Sequence, residues 1–393
     1  MYDHTQCAHH PAVSHEGFES LGVATYRAST IVFDSLQAYT GRHELGRSGY
    51  SYGLYGTPTS RTLEAQITGL HAGHATLLFP SGHAAIAGVM LSMLKPGDKV
   101  LVPSSVYPPV IAFCQSILSG MGVTHAIYNP MIGSGIEQLI DDDTKLVWIE
   151  SPGSTTLEVQ DMPIIAEIAH RKGALVGCDN TWASPLLCKP LALGADFVVE
   201  ALTKYAGGHS DVLLGSVTVA TEDHAESLFS WLKAMGIGVS PDDCSLVLRG
   251  LETMGIRIAH VGRIALSIAR RIGLSPAVET VLHPELKNHP GHWQFRRDFK
   301  GPSGLFSIRL TPQSVPFLAS SLDQMKYFAI GASWGGTRSL IAPITLLSRN
   351  NEQICESTYL RISIGLEDPD DLWDDLNTIL YELEKKTRQA APA

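Results

Sequence analysis

Residues 173–211, GALVGCDNTWASPLLCKPLALGADFVVEALTKYAGGHSD, decide the fold that this sequence predicts. The apolar runs 174–178 and 197–202 have the length of buried strands, and the residues between them provide a crossover. Parallel strands joined in this way end at one edge of a sheet, where open α/β sheets bind their ligands. Asp179 ends the first run and Lys204 follows the second. We therefore expect both side chains at that edge.

This pair of side chains indicates a particular chemistry. A lysine directly after a buried strand, next to Thr203 and the small residues of AGGHSD, suits a Schiff-base nucleophile better than a solvated charge. An acidic group beside it suits a partner for a protonated pyridine nitrogen. Together, Lys204 and Asp179 predict pyridoxal 5′-phosphate (PLP) as the cofactor.

Composition and charge exclude several classes of protein. The 393 residues suffice for two or three domains, and 44% hydrophobic with 17% charged residues is typical of a soluble globular protein. The net charge of -10, without a dense basic run, argues against nucleic acid as a partner. The sixteen histidines do not occur in HExxH or with carboxylates at metal-ligand spacing, so no metal site is predicted.

The sequence also predicts a cytoplasmic location. The six cysteines are scattered and form no CxxC, which is typical of reduced thiols. The first residues lack the basic and apolar regions of a secretory signal. The apolar stretch 84–94 is shorter than the roughly 20 residues that span a bilayer. We therefore expect no membrane partner.

The pattern of apolar residues predicts an α/β chain in three parts. Residues 1–50 show no sustained periodicity and are interpreted as an N-terminal arm, 51–250 as a large cofactor-binding domain, and 251–393 as a smaller α+β domain. Strands are predicted at 100–103, 124–128, 146–150, 175–178, 197–201, 213–219, 280–282, 305–310 and 359–364. Helices are predicted at 84–94, 106–118, 162–171, 221–235, about 30 residues past Pro241, 313–322 and 370–385.

Three further positions are candidates for the site. Ser81-Gly82 opens a predicted helix, where free amides and the helix dipole could bind a phosphate, although an ordinary N-cap gives the same pattern. Tyr107 follows the next strand and could stack on a pyridine ring or pack in the core. Arg361 lies on the opposite face of its strand from Leu360 and Ile362, and its planar fork fits a carboxylate. A structural salt bridge is the alternative for Arg361.

Several blocks of sequence, taken together, resemble the Cys/Met-metabolism family of PLP enzymes. They are Tyr52-Gly53 with GTPTS, SGHAAI, CDNTWASP, LTKYAGGHSD, RDFKGPSGLFS, SWGG and LRISIGLEDPDDL, and they follow the family's order over about residues 20–385. The resemblance implies a type I PLP-dependent (aspartate aminotransferase-like) fold with a mostly parallel sheet. It also implies a homotetramer built from dimers whose active sites are shared between subunits.

The resemblance assigns roles to residues of this chain. It implies that Lys204 binds the cofactor covalently, that Asp179 pairs with the pyridine nitrogen, and that Tyr107 stacks on the ring. A tyrosine donated by the neighbouring subunit matches Tyr52. Positions around the phosphate match Ser81, Gly82, His83 and Thr203, and positions that bind the substrate amino acid match Arg361, Ser333 and Trp334.

The chain departs from the family's pattern at four positions. Leu54 stands where the family has a phosphate-binding arginine, and Ala201 where many relatives have serine. Ala332 replaces a tyrosine and Arg338 a glutamate in the region that faces the distal part of the substrate. The expected activity is carbon–sulfur β-elimination from cystathionine or a related cysteine S-conjugate. The alternatives are a γ-lyase or γ-replacement enzyme of the same family and a catalytically silent PLP-binding regulator.

Overall fold

The computed structural model of the chain describes residues 2–9, 21–350 and 353–390. Part of the predicted arm, residues 1 and 10–20, and the last three residues of the predicted small domain lie outside the described residues. In the described part of the chain, no helix is both long and apolar enough to cross a membrane.

The chain divides into two compact units. The first consists of Met1–Glu150 and Asp161–Gly255, and the second of Ser151–Gln160 and Ile256–Ala393. The second unit therefore includes a ten-residue segment that directly follows a strand of the first.

The first unit is built on a seven-stranded sheet. Its strands are β1 Ala75–Phe79, β2 Lys99–Pro103, β3 Thr124–Tyr128, β4 Thr144–Glu150, β5 Leu175–Asp179, β6 Phe197–Ala201 and β7 Gly215–Val219. They are arranged in the order β1-β7-β6-β5-β4-β2-β3, and only β7 runs antiparallel to its neighbours. The predicted α/β fold with a mostly parallel sheet is confirmed.

Helices cover the sheet of the first unit. They are α1 Asp3–Ala8, α2 Leu36–Thr40, α3 Pro58–His71, α4 Gly82–Met93, α5 Pro108–Phe113, α6 Met162–Arg171, α7 Ser184–Leu187 and α8 Glu222–Met235. A π-helix at Cys114–Leu118 continues α5, and short 3-10 helices lie at Gly41–Glu44, Gly53–Tyr55, Gly133–Gln138 and Pro190–Leu193. Apolar side chains of α4, α5 and α8 pack on one face of the sheet in a single buried cluster. The long helix α9, Pro241–Ile272, begins in the first unit and ends in the second.

The second unit has a smaller, mostly antiparallel sheet. Its strands are β8 Val278–Leu282, β9 Leu305–Leu310, β10 Ala329–Ile330, β11 Leu340–Asn350 and β12 Gln353–Ser363, in the order β10-β11-β12-β9-β8. Its helices are α10 His292–Asp298, α11 Leu318–Leu322 and α12 Pro369–Ala390, with a 3-10 turn at Val315–Phe317. This arrangement confirms the predicted α+β character of the C-terminal part.

Helix α3 and strand β1 are among the elements of the first unit that the sequence did not predict. Helix α3 begins at a capping box in which Thr57 and Ser60 exchange hydrogen bonds, and strand β1 follows it at Ala75–Phe79. Strand β1 is five residues long and pairs antiparallel with β7, which comes about 140 residues later in the chain. Its place therefore depends on a long-range pairing that the local pattern does not show.

Candidate active site

The ends of neighbouring strands bring the central pair of side chains to one edge of the sheet. Asp179 is the last residue of β5 and lies in register with Val199 of β6, five residues before Lys204. Burial raises the pKa of Asp179 to about 6, while hydrogen bonds from Thr181 and the positive charge of Lys204 lower it. Lys204 follows the end of β6 by three residues, so the two residues lie at the same edge of the sheet.

A tight turn after β6 holds Lys204. The Lys204 amide donates to the carbonyl of Ala201 (3.0 Å), and the Gly208 amide donates to the carbonyl of Lys204 (2.7 Å). The hydroxyl of Thr203 bridges this turn to Leu214, accepting from its amide at 3.1 Å and donating to its carbonyl at 3.2 Å. Lys204 is therefore fixed through its backbone, and its side chain is half-buried.

Thr181 connects the two strand ends that carry the pair. Its amide donates to Oδ1 of Asp179 (2.9 Å), and its hydroxyl accepts from the amide of Ala201 (2.9 Å). One residue thus orients the carboxylate and ties it to the last residue of β6. Sequence reasoning did not single out Thr181, although it follows Asp179 within the CDNTWASP block.

The N-terminus of α4 packs directly against the same strand ends. Ser81 is the N-cap, and its Oγ accepts from the amide of Ala84 (3.1 Å). A Cβ on Gly82 would lie 2.5 Å from the Cβ of Ala201, and one on Gly215 would lie 2.2 Å from the carbonyl oxygen of Ser81. Two glycines therefore allow the positive end of the α4 dipole to approach the ends of β6 and β7.

Tyr107 lies at the start of α5, beside His83. The two rings meet edge to face with centroids 6.2 Å apart, and His83 also meets Phe113 at 5.9 Å. Burial lowers the pKa of His83, which favours the neutral ring. Tyr107 is 42% exposed, so its ring is accessible. The ring therefore does not pack in the core, which was the alternative interpretation of the sequence.

Glu150 is a residue of this edge that sequence reasoning missed. It ends β4, lies in register with Asp179, and its Oε2 accepts from the amide of Tyr107 (2.7 Å). Burial and the charge of Asp179 raise the pKa of Glu150 well above its usual value. The available signal was the one that identified Asp179, an acidic residue at the end of a predicted parallel strand.

Tyr52 and Leu54 lie in another part of the first unit. Tyr52 is 43% exposed and meets Tyr55 edge to face at 5.9 Å. Both tyrosines line a cavity of about 420 Å³ together with Arg42 and Lys233. Leu54 packs toward Gly238, where an added Cβ would lie 2.6 Å from Cδ1 of Leu54. The role of Tyr52 in a neighbouring subunit stays a prediction.

The second unit places Arg361 on β12, and Ser333 and Trp334 in the segment between β10 and β11. Arg361 lies between Ser307 of β9 and Ala342 of β11, is half-buried, and donates through Nη2 to the carbonyl of Ala332. This bond brings the guanidinium to the segment that continues into Ser333 and Trp334. The amide of Gly335 in the same segment donates to Oγ of Ser363 (3.3 Å).

The residues at the edge of the first sheet fit PLP. They include an amine, a half-buried carboxyl group with a raised pKa, an accessible tyrosine ring and a helix N-terminus brought close by glycines. These are groups that would bind an aldehyde carbon, a protonated ring nitrogen, a ring face and a phosphate. Across the described residues, no group of three or more His, Cys, Asp or Glu could hold a metal ion.

Comparison with known proteins places this fold and site in a family. Residues 4–381 match the Cys/Met metabolism PLP-dependent enzymes. The chain is 38% identical over 360 residues to the cystathionine β-lyase of Escherichia coli (89% of this chain and 91% of that protein). It is 35% identical over 378 residues to an L-alanine/L-glutamate racemase of Wolbachia pipientis (93% of each).

A solved structure agrees with these matches. The cystathionine γ-synthase of Xanthomonas oryzae, in complex with aminoacrylate and cysteine, has a TM-score of 0.89 at 28% identity, with 98% of this chain and 99% of that chain covered. The chain belongs to the Cys/Met metabolism family of PLP-dependent enzymes. This confirms the predicted family, the type I PLP-dependent fold and the PLP cofactor. It also confirms the predicted enzyme class, a PLP-dependent carbon–sulfur lyase.

Proposed function

We propose that this enzyme is a carbon–sulfur β-lyase that cleaves cystathionine, or a related cysteine S-conjugate, with water to a thiol, pyruvate and ammonia. The observation that carries the chemistry is the approach of Asp179 and Lys204 at one edge of the sheet. The similarity to a cystathionine β-lyase over 89% of the chain supports the substrate.

Lys204 and Asp179 have complementary roles in this proposal. PLP, when bound, supplies an electron sink for the charge that develops at the substrate Cα. Lys204 would hold the cofactor through its Nζ and, as a free amine, would move the Cα proton as a general base. Asp179 holds a protonated ring nitrogen, and the hydrogen bond from Thr181 keeps its carboxylate in place. Tyr107 covers the ring, with Ser81, Gly82, His83 and Thr203 around the phosphate.

Arg361 is proposed to bind the α-carboxylate of the substrate. A guanidinium presents two parallel N–H donors to a carboxylate, and its contact with the Ala332 carbonyl fixes one side of the group. Ser333 and Trp334 follow in the same segment and are proposed to contact the substrate.

The assembly is also a proposal. We infer a cytoplasmic homotetramer of two dimers, in which Tyr52 of one subunit completes the site of the next. The accessible ring of Tyr52 and its position outside the core of the first unit support this inference. Sedimentation of the purified protein, with and without PLP, tests the assembly.

The test of function is a product assay across sulfur amino acids. Purified enzyme with PLP is incubated with cystathionine, cystine and methionine, and the keto acids are separated. The β-lyase gives pyruvate, whereas 2-oxobutyrate identifies γ-elimination. Chiral analysis of alanine and glutamate detects racemisation, the activity in the name of one relative. Bound cofactor without any product would identify a silent PLP-binding protein, and the Lys204→Ala variant is the control for background.

A further inference from the structure

Two carboxyl groups lie side by side at the edge where Asp179 meets Lys204. Glu150 and Asp179 are the last residues of the parallel strands β4 and β5, and they are direct register partners. Register partners in a sheet project from the same face, so both carboxyl groups leave the sheet on the side of α4 and α5. Glu150 is only 8% exposed, and Asp179 is half-buried.

The surroundings of the two carboxyl groups differ. Asp179 accepts a hydrogen bond from the Thr181 amide (2.9 Å) and is stabilised as an anion by Lys204. Glu150 accepts from the Tyr107 amide (2.7 Å) and is less exposed to water. Two neighbouring buried carboxyl groups resist ionising together, and the one that lies beside a cation and is more exposed to water keeps the charge.

Other titratable groups lie near the pair, and the charge of one of them, Glu200, adds to burial in raising the pKa of Asp179. Burial raises the pKa of the Cys178 thiol and lowers that of His83, so both are neutral at neutral pH. Glu200 is buried, and its Oε2 lies 3.5 Å from Nε2 of His71, also fully buried. Both of these groups lie on the opposite face of β6 from the Asp179 side chain, since Glu200 alternates with Val199.

We propose that Glu150 is a positioning residue of the site. Its carboxyl group fixes Tyr107 by accepting a hydrogen bond from the Tyr107 backbone amide. Glu150 also carries the proton of the Glu150–Asp179 pair, so that the negative charge lies on Asp179. This assignment rests on the proposed function in one respect, the pairing of Asp179 with the ring nitrogen. Glu150 does not contact the reacting atoms in this proposal.

The sequence around Tyr107 explains why such an anchor matters. Tyr107 is followed by Pro108 and Pro109, which have no backbone N–H. The Tyr107 amide is therefore the only backbone donor over these three residues, and α5 has no side-chain cap at Tyr107. The bond to Glu150 fixes the point from which the accessible Tyr107 ring projects.

Matched substitutions separate the two parts of the proposal. Glu150→Gln keeps an oxygen acceptor for the Tyr107 amide and is neutral, so we expect the affinity of the apoenzyme for PLP to change by less than about threefold. Glu150→Met has a similar volume but no strong acceptor, and should weaken PLP binding about tenfold. Equal affinities of E150M and the unchanged enzyme would refute the positioning role, as would a loss in E150Q equal to that in E150M. If E150M does not fold, Glu150→Ala serves the same comparison.

Infrared spectroscopy tests the location of the proton without an activity measurement. A protonated carboxyl group has a carbonyl stretch well separated from that of a carboxylate. The holoenzyme in D₂O at neutral pD should show this band, and E150Q should lose it. Absence of the band, or its survival in E150Q, would overturn the assignment. Selective ¹³C labelling of glutamate must also shift the band; a band that does not shift would place the proton on an aspartate. Both measurements remain informative if cystathionine is not the substrate.

Discussion

The substitution Gly82→Ala tests whether the N-terminus of α4 holds the cofactor phosphate. The added Cβ would lie 2.5 Å from the Cβ and 2.9 Å from the Cα of Ala201, whereas ordinary contact begins at 3.4 Å. The shortfall of about 0.9 Å is against the Cβ of Ala201, which cannot rotate away, so α4 must move by about that distance from the ends of β6 and β7. Overpacking of this kind costs about 1–3 kcal/mol in the free energy of unfolding. A phosphate ligand displaced by about 1 Å from its donors should bind at least tenfold more weakly.

The chain offers a matched control for this substitution. An added Cβ on Gly120 has no neighbour within 4 Å, and its φ is not in the left-handed region, so Gly120→Ala should stay within about 0.5 kcal/mol of the unchanged protein. Urea unfolding of the apoenzymes gives the stability, and titration with PLP gives the affinity. Unchanged PLP affinity with lower stability would show that α4 packs as described but does not bind the phosphate. G82A equal to G120A in both measurements would refute the packing argument.

Four further predictions concern residues of the two units. Lys204→Ala should abolish turnover and the visible absorbance of the bound cofactor, because no other residue is proposed to hold PLP covalently; retained turnover would remove Lys204 from this role. Arg361→Ala should raise KM for amino-acid substrates strongly while PLP stays bound, and an unchanged KM would place the α-carboxylate elsewhere. Burial raises the pKa of Asp179 from 3.8 to about 6. Between these two pH values the folded apoenzyme keeps a proton on Asp179 that the unfolded chain has lost. The free energy of unfolding should therefore fall as the pH rises through this range. Asp179→Asn should reduce that slope in urea unfolding curves, and the part that remains includes the contribution of Glu150, whose pKa is also raised by burial. The buried Asp375 carboxylate accepts hydrogen bonds from the amides of residues 326–328 at 2.9, 2.9 and 3.0 Å. Asp375→Ala should therefore lower the free energy of unfolding by about 3 kcal/mol or more. A decrease below about 1 kcal/mol in urea unfolding would contradict this estimate.

The sequence predicts much of this fold because its central strands are local signals. Strands 124–128 and 197–201 and helix 162–171 occur with the predicted bounds. The run 197–201 and the helical stripe 162–171 are local patterns that specify an element without knowledge of its partners. The edge that carries Asp179 and Lys204 follows from these strands and from the parallel arrangement alone.

Other features depend on pairings that no local pattern shows. Strand β1 is held by its antiparallel pairing with β7. The prediction of a helix over 313–322 was wrong in its extent, because the structure has a 3-10 turn at Val315–Phe317 followed by the short α11. Glu150 was included in a predicted strand, but its importance appears only when β4 and β5 are adjacent and its oxygen meets the Tyr107 amide. The register that makes two carboxyl groups neighbours is a tertiary property.

The electrostatics of the edge favour a cationic ligand group beside Asp179. Burial raises the pKa of Asp179 even though Thr181 and Lys204 stabilise its anion, which means that keeping this carboxyl group ionised costs free energy. A protonated ring nitrogen bound next to it would recover that cost as binding free energy and would lower the pKa again. The same coupling works only if the neighbouring Glu150 does not ionise, because a second negative charge would draw the proton back to Asp179. The protonation of Glu150 and the binding of the cofactor are therefore parts of one electrostatic arrangement, and the infrared band of Glu150 reports on both.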